Sequence, residues 1–278
     1  MTSIRQAAAT LATAGVASPL NDARILAAHV LGCEPMELIL HDQEALPLLF
    51  EELVQRRAQR EPLQHILGTA PMGHLDLQVG PGVFVPRPET ELVGAWTVER
   101  LRGMGVEKPR VVDLCTGSGT LACYIASLIP EAQVTAVELD EAARQWALKN
   151  VADLGLGVTV VAGDATDPQL LPDLQGTADA VVSNPPYVPE GTPIEPEVQA
   201  DPHHAVFSGG TGMDVIEKMV PIAARMLRVG GVLSIEHDDS TADLVCAVLA
   251  QQHCFGEITS HQDFAGRDRY VTAVKTSE

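Results

Sequence analysis

Between Arg110 and Glu236, strand-length apolar runs alternate with helical stretches, and that alternation leaves few folds open. Val111-Val112-Asp113-Leu114 reads as a strand, Cys115-Thr116-Gly117-Ser118-Gly119 as a glycine-rich loop, and Thr120 to Leu128 as a helix. Val134 to Glu138, Val158 to Val161, Ala178 to Ser183 and Val232 to Glu236 read as further strands. The last of these follows a helix from Asp214 to Leu227 through Gly230-Gly231, and a final pair of strands covers about 255–260 and 269–275. Strands separated by helices pair in parallel, with each helix crossing over a face of the sheet. The expectation is an α/β chain with a mostly parallel, doubly wound sheet.

In such sheets ligands bind outside the carboxyl ends of the strands. The run Ala180-Val181-Val182-Ser183 stops at Asn184-Pro185-Pro186-Tyr187. Neither proline can donate to a ladder, and each pushes the residue before it toward extended geometry. The result is a stiff rim carrying the Asn184 carboxamide and the Pro185 carbonyl. Together they can accept both hydrogens of a planar NH2 group, while Tyr187 offers a flat face for stacking. The plain alternative is a turn that closes a strand.

The loop 115–119 lets a ligand approach the backbone, and the helix behind it offers free N–H groups. Glu138 stands nineteen residues beyond Gly119, at the end of the second strand. A carboxylate there can accept both hydroxyls of a ribose. Asp164, followed by Ala165, ends the third strand, placed either to accept from an adenine amine or to cap its own turn. Gly-Ser-Gly-Thr-Leu-Ala also fits the dinucleotide fingerprint G-x-G-x-x-A, so NAD competes. Asp113 tilts the balance, because an acid at that point repels a pyrophosphate and suits a cofactor bearing an ammonium group. S-adenosylmethionine bears one.

Ahead of this region, residues 1 to about 68 read as helices. Ser18 and Pro19 start one that Gly32 ends, and Pro47 opens another whose outer face carries Arg56, Arg57 and Arg60. Those arginines are expected to form a solvated face. Leu75, Leu77 and Val79 alternate, Gly80-Pro81-Gly82 turns, and Val83-Phe84-Val85 returns, which reads as a hairpin. Arg87 can meet a ligand carboxylate or pair with Glu89 or Glu91. The Pro- and Gly-rich stretch from Val188 to Gly212 is a long loop fit to wall or cover a site.

Five scattered cysteines contain no C-x-x-C pair, so neither a zinc site nor a disulfide framework is expected. His203, His204 and His237 with Asp201 are not expected to hold a metal. No apolar run reaches membrane-spanning length, and a cytoplasmic protein with no membrane partner is expected. A net charge of −19 and 4% aromatic residues count against a nucleic-acid binder.

These residues carry a resemblance. Asp113 to Gly119, Glu138, Asp164 and Asn184-Pro185-Pro186-Tyr187 resemble Rossmann-like S-adenosylmethionine methyltransferases that act on amino or amide nitrogen. Glu61 to Gly68, Val83-Phe84-Val85-Pro86-Arg87-Pro88-Glu89-Thr90-Glu91, Gly212-Met213-Asp214, Glu236-His237 and Ala265 to Arg269 are similar to the HemK/PrmC family, the peptide chain release factor glutamine methyltransferases. The Asn-Pro-Pro-Tyr motif alone is shared with adenine-N6 DNA methyltransferases, the nearest rival. An NAD-dependent oxidoreductase and a non-enzymatic binding module stand further off.

The resemblance implies three parts: a helical substrate-recognition domain at 1–70, a β-hairpin linker at 71–86, and a Rossmann-like methyltransferase domain with a mostly parallel seven-stranded sheet at 87–278. It implies methyl transfer from S-adenosylmethionine to the amide nitrogen of the glutamine in a Gly-Gly-Gln motif of a release factor, by a monomer, leaving S-adenosylhomocysteine. Asp113, Cys115, Thr116, Gly117, Ser118, Gly119, Glu138, Asp164, Ala165 and Asn184 are the implied cofactor residues. Asn184, Pro185 and Tyr187 are the implied catalytic residues, with Pro186 and Phe84 completing the substrate pocket. The match departs at Cys115 and at Asp238, where glycine is commoner, and at Asp201-Pro202, where Glu-Pro is frequent.

Overall fold

The computed structural model describes residues 3–41 and 45–277. By contact density the chain divides into two units. The first holds Met1–Ala70, Val79–Pro81 and Ile194–Ala200, and the second holds Pro71–Gln78, Gly82–Pro193 and Asp201–Glu278.

The first unit is built on α1 (Ile4–Thr13), α2 (Pro19–Leu31), α3 (Leu48–Ala58) and the short α4 (Leu63–Leu67). Ser3 and Gln6 close a capping box on α1, and Gly32, in the left-handed region, ends α2. Leu11, Leu26, Phe50 and Ile66 meet in its core. Arg57 is not on a solvated face. It is buried, donates from Nε to Asp22 at 2.8 Å, and pairs through Nη1 with Glu197 at 2.7 Å. Arg60 binds the same Glu197 through two nitrogens at 2.6–2.7 Å. Arg56 pairs with Glu61 near the surface, and Arg60 also reaches the exposed Glu195 at 3.3 Å. The acids that draw Arg57 inward lie 35 and 140 residues away in the chain, beyond any helical period.

The hairpin pairs β1 (Thr69–Met72) with β2 (Leu75–Gln78). Its turn is Gly73-His74, with Gly73 at φ 59°, and not Gly80-Pro81-Gly82. Val83-Phe84-Val85 forms no strand, because the Val85 N–H is taken by the Asp201 carboxylate at 3.1 Å.

In the second unit, α5 (Thr90–Met104) precedes β3 (Arg110–Leu114), α6 (Thr120–Leu128), β4 (Gln133–Glu138), α7 (Glu141–Asp153), β5 (Val158–Ala162) and β6 (Ala178–Ser183). The one-turn α8 (His203–Val206), α9 (Asp214–Met226), β7 (Leu227–Glu236), α10 (Ala242–Gln251), β8 (Phe255–Gln262) and β9 (Asp268–Lys275) complete it. Strand β7 starts at Leu227 and takes in Gly230-Gly231, at the cost of a register shift opposite Ala178–Ala180. The seven-stranded sheet runs β5-β4-β3-β6-β7-β9-β8, parallel except at β9 and β8. Side chains alternate across it: Val111 and Val182 join the core under α5 and α6, while Val112 and Val181 join the core under α9 and α10. The strand order reverses between β3 and β6, so the loops after these two strands flank the topological switch point.

Candidate active site

The loop after β3 is held from inside. Asp113 is buried, and its Oδ2 accepts from Thr116 Oγ1 and from the Ala122 N–H at 3.0 Å. Its Oδ1 has no partner among the described residues. Burial pushes this carboxyl up to about 7, against the pull of its two donors. Thr116 and Ser118 turn their side chains inward too: Thr116 to Asp113, and Ser118 Oγ to Thr120 Oγ1 at 3.1 Å. What these two residues can offer a ligand is therefore backbone.

Cys115, Gly117 and Gly119 all lie in the left-handed region, at φ 61°, 58° and 85°. That conformation costs an L-residue roughly 1–2 kcal/mol and glycine little, which is why glycine suits position 115. A Cβ on Gly119 would press on Cys123 Sγ at 3.2 Å, whereas one on Gly117 would meet open space. Asn150, which sequence reasoning did not single out, ties the loop to β2. Its Nδ2 donates to the Ser118 carbonyl at 2.9 Å and its Oδ1 accepts from Gln78 N–H at 2.7 Å. Nothing in the sequence near Asn150 marks it, since it is one polar residue on a helix.

Glu138 ends β4 and is buried. Oε2 accepts the Gly117 N–H and Oε1 the Asp140 N–H, both at 2.8 Å. Burial raises its pKa and those two N–H groups oppose the rise. Each oxygen keeps a second acceptor position. Asp164 is exposed and Oδ1 caps its own turn, accepting from Thr166 N–H and Oγ1 at 2.7 Å. Ala165 packs into the core with Val137, so only its backbone can face a ligand.

Across the switch point, β6 is buried along its whole length and ends at Ser183, just before Asn184. Asn184 Nδ2 donates to Thr90 Oγ1 at 3.2 Å. Asn184 Oδ1 and the Pro185 carbonyl accept no hydrogen bond among the described residues. Tyr187 Oη donates to Glu236 Oε1 at 2.9 Å. Burial pushes the Glu236 carboxyl up to about 7, with Thr90, Tyr187 and Arg269 opposing. Beyond Tyr187 the chain is clipped down: Val188 N–H donates to the Val206 carbonyl and Ser208 N–H to the Val188 carbonyl, both at 2.9 Å.

Phe84 is half-buried, with the Arg87 guanidinium 5.0 Å from its ring centroid. Arg87 pairs with neither Glu89 nor Glu91. Its Nη2 donates to Asp201 Oδ2 at 2.7 Å, and the other oxygen of Asp201 takes Val85 N–H. Asp201 therefore fixes the segment carrying Phe84. No group of three or more His, Cys, Asp or Glu suited to a metal ion occurs among the described residues.

Residues 2–68 match the sequence family described as PrmC N-terminal domain, and residues 81–201 match the family described as methyltransferase small domain. The release factor glutamine methyltransferase of Corynebacterium glutamicum is 55% identical over 272 residues, 98% of this chain and 97% of that protein. The protein of the same name from Mycolicibacterium smegmatis is 49% identical over 281 residues, 99% of this chain and 97% of its own. A solved 16S rRNA N2 G1207 methyltransferase from T. thermophilus, in complex with AdoMet and guanosine, shares the fold. The TM-score is 0.55 at 24% identity, over 74% of this chain and 49% of that one.

Proposed function

The chain belongs to the release factor glutamine methyltransferase family, and on that premise we propose that it transfers a methyl group from S-adenosylmethionine to the side-chain amide nitrogen of a glutamine in a peptide chain release factor. The observation that carries this reading is the pair of acceptors left open among the described residues, Asn184 Oδ1 and the Pro185 carbonyl, on adjacent residues at the switch point. A primary amide presents two N–H donors and needs two such acceptors.

The residues on the other side of that point fit the cofactor. Asp113 Oδ1 is a buried carboxyl oxygen without a partner among the described residues, suited to an ammonium group. Glu138 has an acceptor position left on each oxygen for the ribose hydroxyls, and Gly117 leaves open space above the backbone. S-adenosylmethionine supplies the methyl group on an electrophilic sulfonium.

The protein's own part is to make an amide nitrogen nucleophilic. That nitrogen is weak because its lone pair is delocalised into the carbonyl. Holding both of its hydrogens fixes where the lone pair points, and the acceptors favour positive charge building on the nitrogen. Positioning of this kind supplies roughly 7–11 kcal/mol, and preset acceptors add electrostatic stabilisation. Tyr187, tied to Glu236, stacks on the amide plane, and Phe84 closes the pocket. The nitrogen gives up its proton to water.

The first unit is the proposed docking domain for the release factor. No nucleic-acid partner is assigned, since a net charge of −19 opposes phosphate binding. Among the described residues no helix is long and apolar enough to cross a membrane. A translation factor as substrate puts the reaction in the cytoplasm. Incubation with a release factor and methyl-labelled cofactor, followed by peptide mass spectrometry, tests the reading. A single methyl on one glutamine is expected; label elsewhere, or none, refutes it.

A further inference from the structure

The rim grips a carboxamide, and every glutamine has one. Choosing a single glutamine on a folded protein needs contact with the residues around it. Phe264 is placed to make such a contact. At 98% exposure it is the most exposed large apolar side chain among the described residues, whereas Phe50, Phe84, Phe207 and Phe255 are buried or half-buried. A phenyl ring left wholly in water gains free energy once a partner covers it, and phenylalanine is enriched where protein partners meet.

Phe264 lies in the turn 263–267 that joins β8 to β9. Strand β9 runs antiparallel to β7, with Tyr270 opposite Glu236 and the Arg269 carbonyl accepting the His237 N–H at 3.0 Å. The turn therefore lies at the carboxyl edge of the sheet, the edge that carries the rim. On the neighbouring strand Ser183 pairs with Ile235, and Tyr187 Oη donates to Glu236 at 2.9 Å. Helix α10 follows β7 on the same edge and shows Leu244, 47% exposed, in its first turn. The turn is also held in shape. Asp263 Oδ1 accepts the Ala265 and Arg267 N–H groups at 2.8 and 3.0 Å, and Oδ2 accepts from Arg269 Nη2 at 3.3 Å. The Asp263 N–H donates to the Arg267 carbonyl at 2.8 Å, and the N–H of Gly266, at φ 77°, donates to the Asp263 carbonyl at 2.9 Å. A side chain carried on an ordered turn costs less entropy to bury than one on a loose loop.

We propose that Phe264 is a specificity residue, packing against apolar surface of the release factor beside the glutamine, so that the β8–β9 turn and the rim hold the protein substrate together. This rests on the reading of the site as one that methylates a release factor. The occupant is the substrate because the turn shares its edge with the rim that the glutamine must reach; a second copy of the chain seated there would stand in the substrate's way. The ring holds neither the amide nor the cofactor, so its packing adds the same binding free energy to the bound substrate and to the transition state. Such uniform binding lowers KM and leaves kcat alone.

The test compares Phe264→Ala with Phe264→Leu, which keeps a large apolar side chain. Steady-state methylation of a release factor is measured beside calorimetric binding of S-adenosylmethionine, thermal unfolding, and sedimentation of the enzyme alone. Phe264→Ala is expected to raise KM for the release factor roughly 10- to 100-fold, the worth of burying one apolar side chain. Its kcat at saturation, cofactor affinity and melting temperature are kept. Phe264→Leu recovers most of the loss. A wild-type KM in Phe264→Ala overturns the proposal, as does a loss that falls on kcat instead. Altered sedimentation with an unchanged KM gives the ring to a second copy and overturns it as well. A wild-type protein that methylates no release factor refutes the proposed function itself.

Discussion

Gly212 lies so close to Tyr187 that a Cβ built on it would stand 2.2 Å from the Tyr187 carbonyl oxygen. Gly212 also sits at φ 77°, in the left-handed region. The backbone of the Asn-Pro-Pro-Tyr rim is thus seated against a glycine on the far side of the loop it opens.

Gly212→Ala is therefore expected to displace Tyr187 and the rim before it. Left-handed strain and overpacking together cost roughly 2–4 kcal/mol. Because the displaced backbone carries the site, methyl transfer should fall further than stability explains. Thermal unfolding alongside turnover checks this. Full turnover in a folded Gly212→Ala would show that the contact does not position the rim.

Arg57 and Arg56 are neighbours on α3 with opposite fates. Removing Arg57 leaves the buried Asp22 without its cation, while Glu197 keeps Arg60, and breaking a buried pair costs about 3–5 kcal/mol. Removing Arg56 breaks an exposed pair with Glu61 and should cost at most about 1 kcal/mol. Urea unfolding of Arg57→Ala and Arg56→Ala compares them. Similar losses would contradict the burial of Arg57.

That contrast shows where the sequence is legible. Each strand, the Gly-rich loop and the proline rim follow from patterns spanning ten residues or fewer, and Glu138 from its place at a strand end nineteen residues past Gly119; loop, Glu138 and rim all lie at the carboxyl edge of one sheet. The partners of Arg57, Arg87 and Tyr187 depend on chain segments 35 to 140 residues distant, which no local period reports. The hairpin turn is ambiguous for another reason. Leu75, Leu77 and Val79 alternate in the same way whichever turn closes them, and only pairing with Thr69–Met72 decides for Gly73. Thr90 and Glu236 belong to recognisable motifs, yet the contact of Thr90 with Asn184 and of Glu236 with Tyr187 exists only once β6, β7 and α5 are packed.

Stability of the cofactor-free protein should peak below neutral pH. Asp113 and Glu236 are raised to about 7 and Asp201 to about 6, each by burial. Each binds its proton more tightly folded than unfolded, so stability is lost as pH climbs from about 4 through these values. Glu197 acts in the opposite sense. Burial would raise it, but hydrogen bonds from Arg60 and Arg57 hold it down to about 2, so its contribution is lost as pH falls toward that value. A higher melting temperature near about pH 5.5 than near about pH 8, declining again below about pH 4, is the expected profile. A melting temperature that rises steadily to about pH 8 would contradict the burial of the three acids.

The most direct test of the account is the single-turnover rate of methyl transfer by Asn184→Ala, read beside its calorimetric affinity for the cofactor. If Asn184 Oδ1 holds the glutamine NH2, transfer is abolished while the cofactor dissociation constant stays within about a factor of two, since little free energy attaches to so small a shift. Cofactor affinity falling in proportion to the rate would mean that Asn184 serves the cofactor and not the amide.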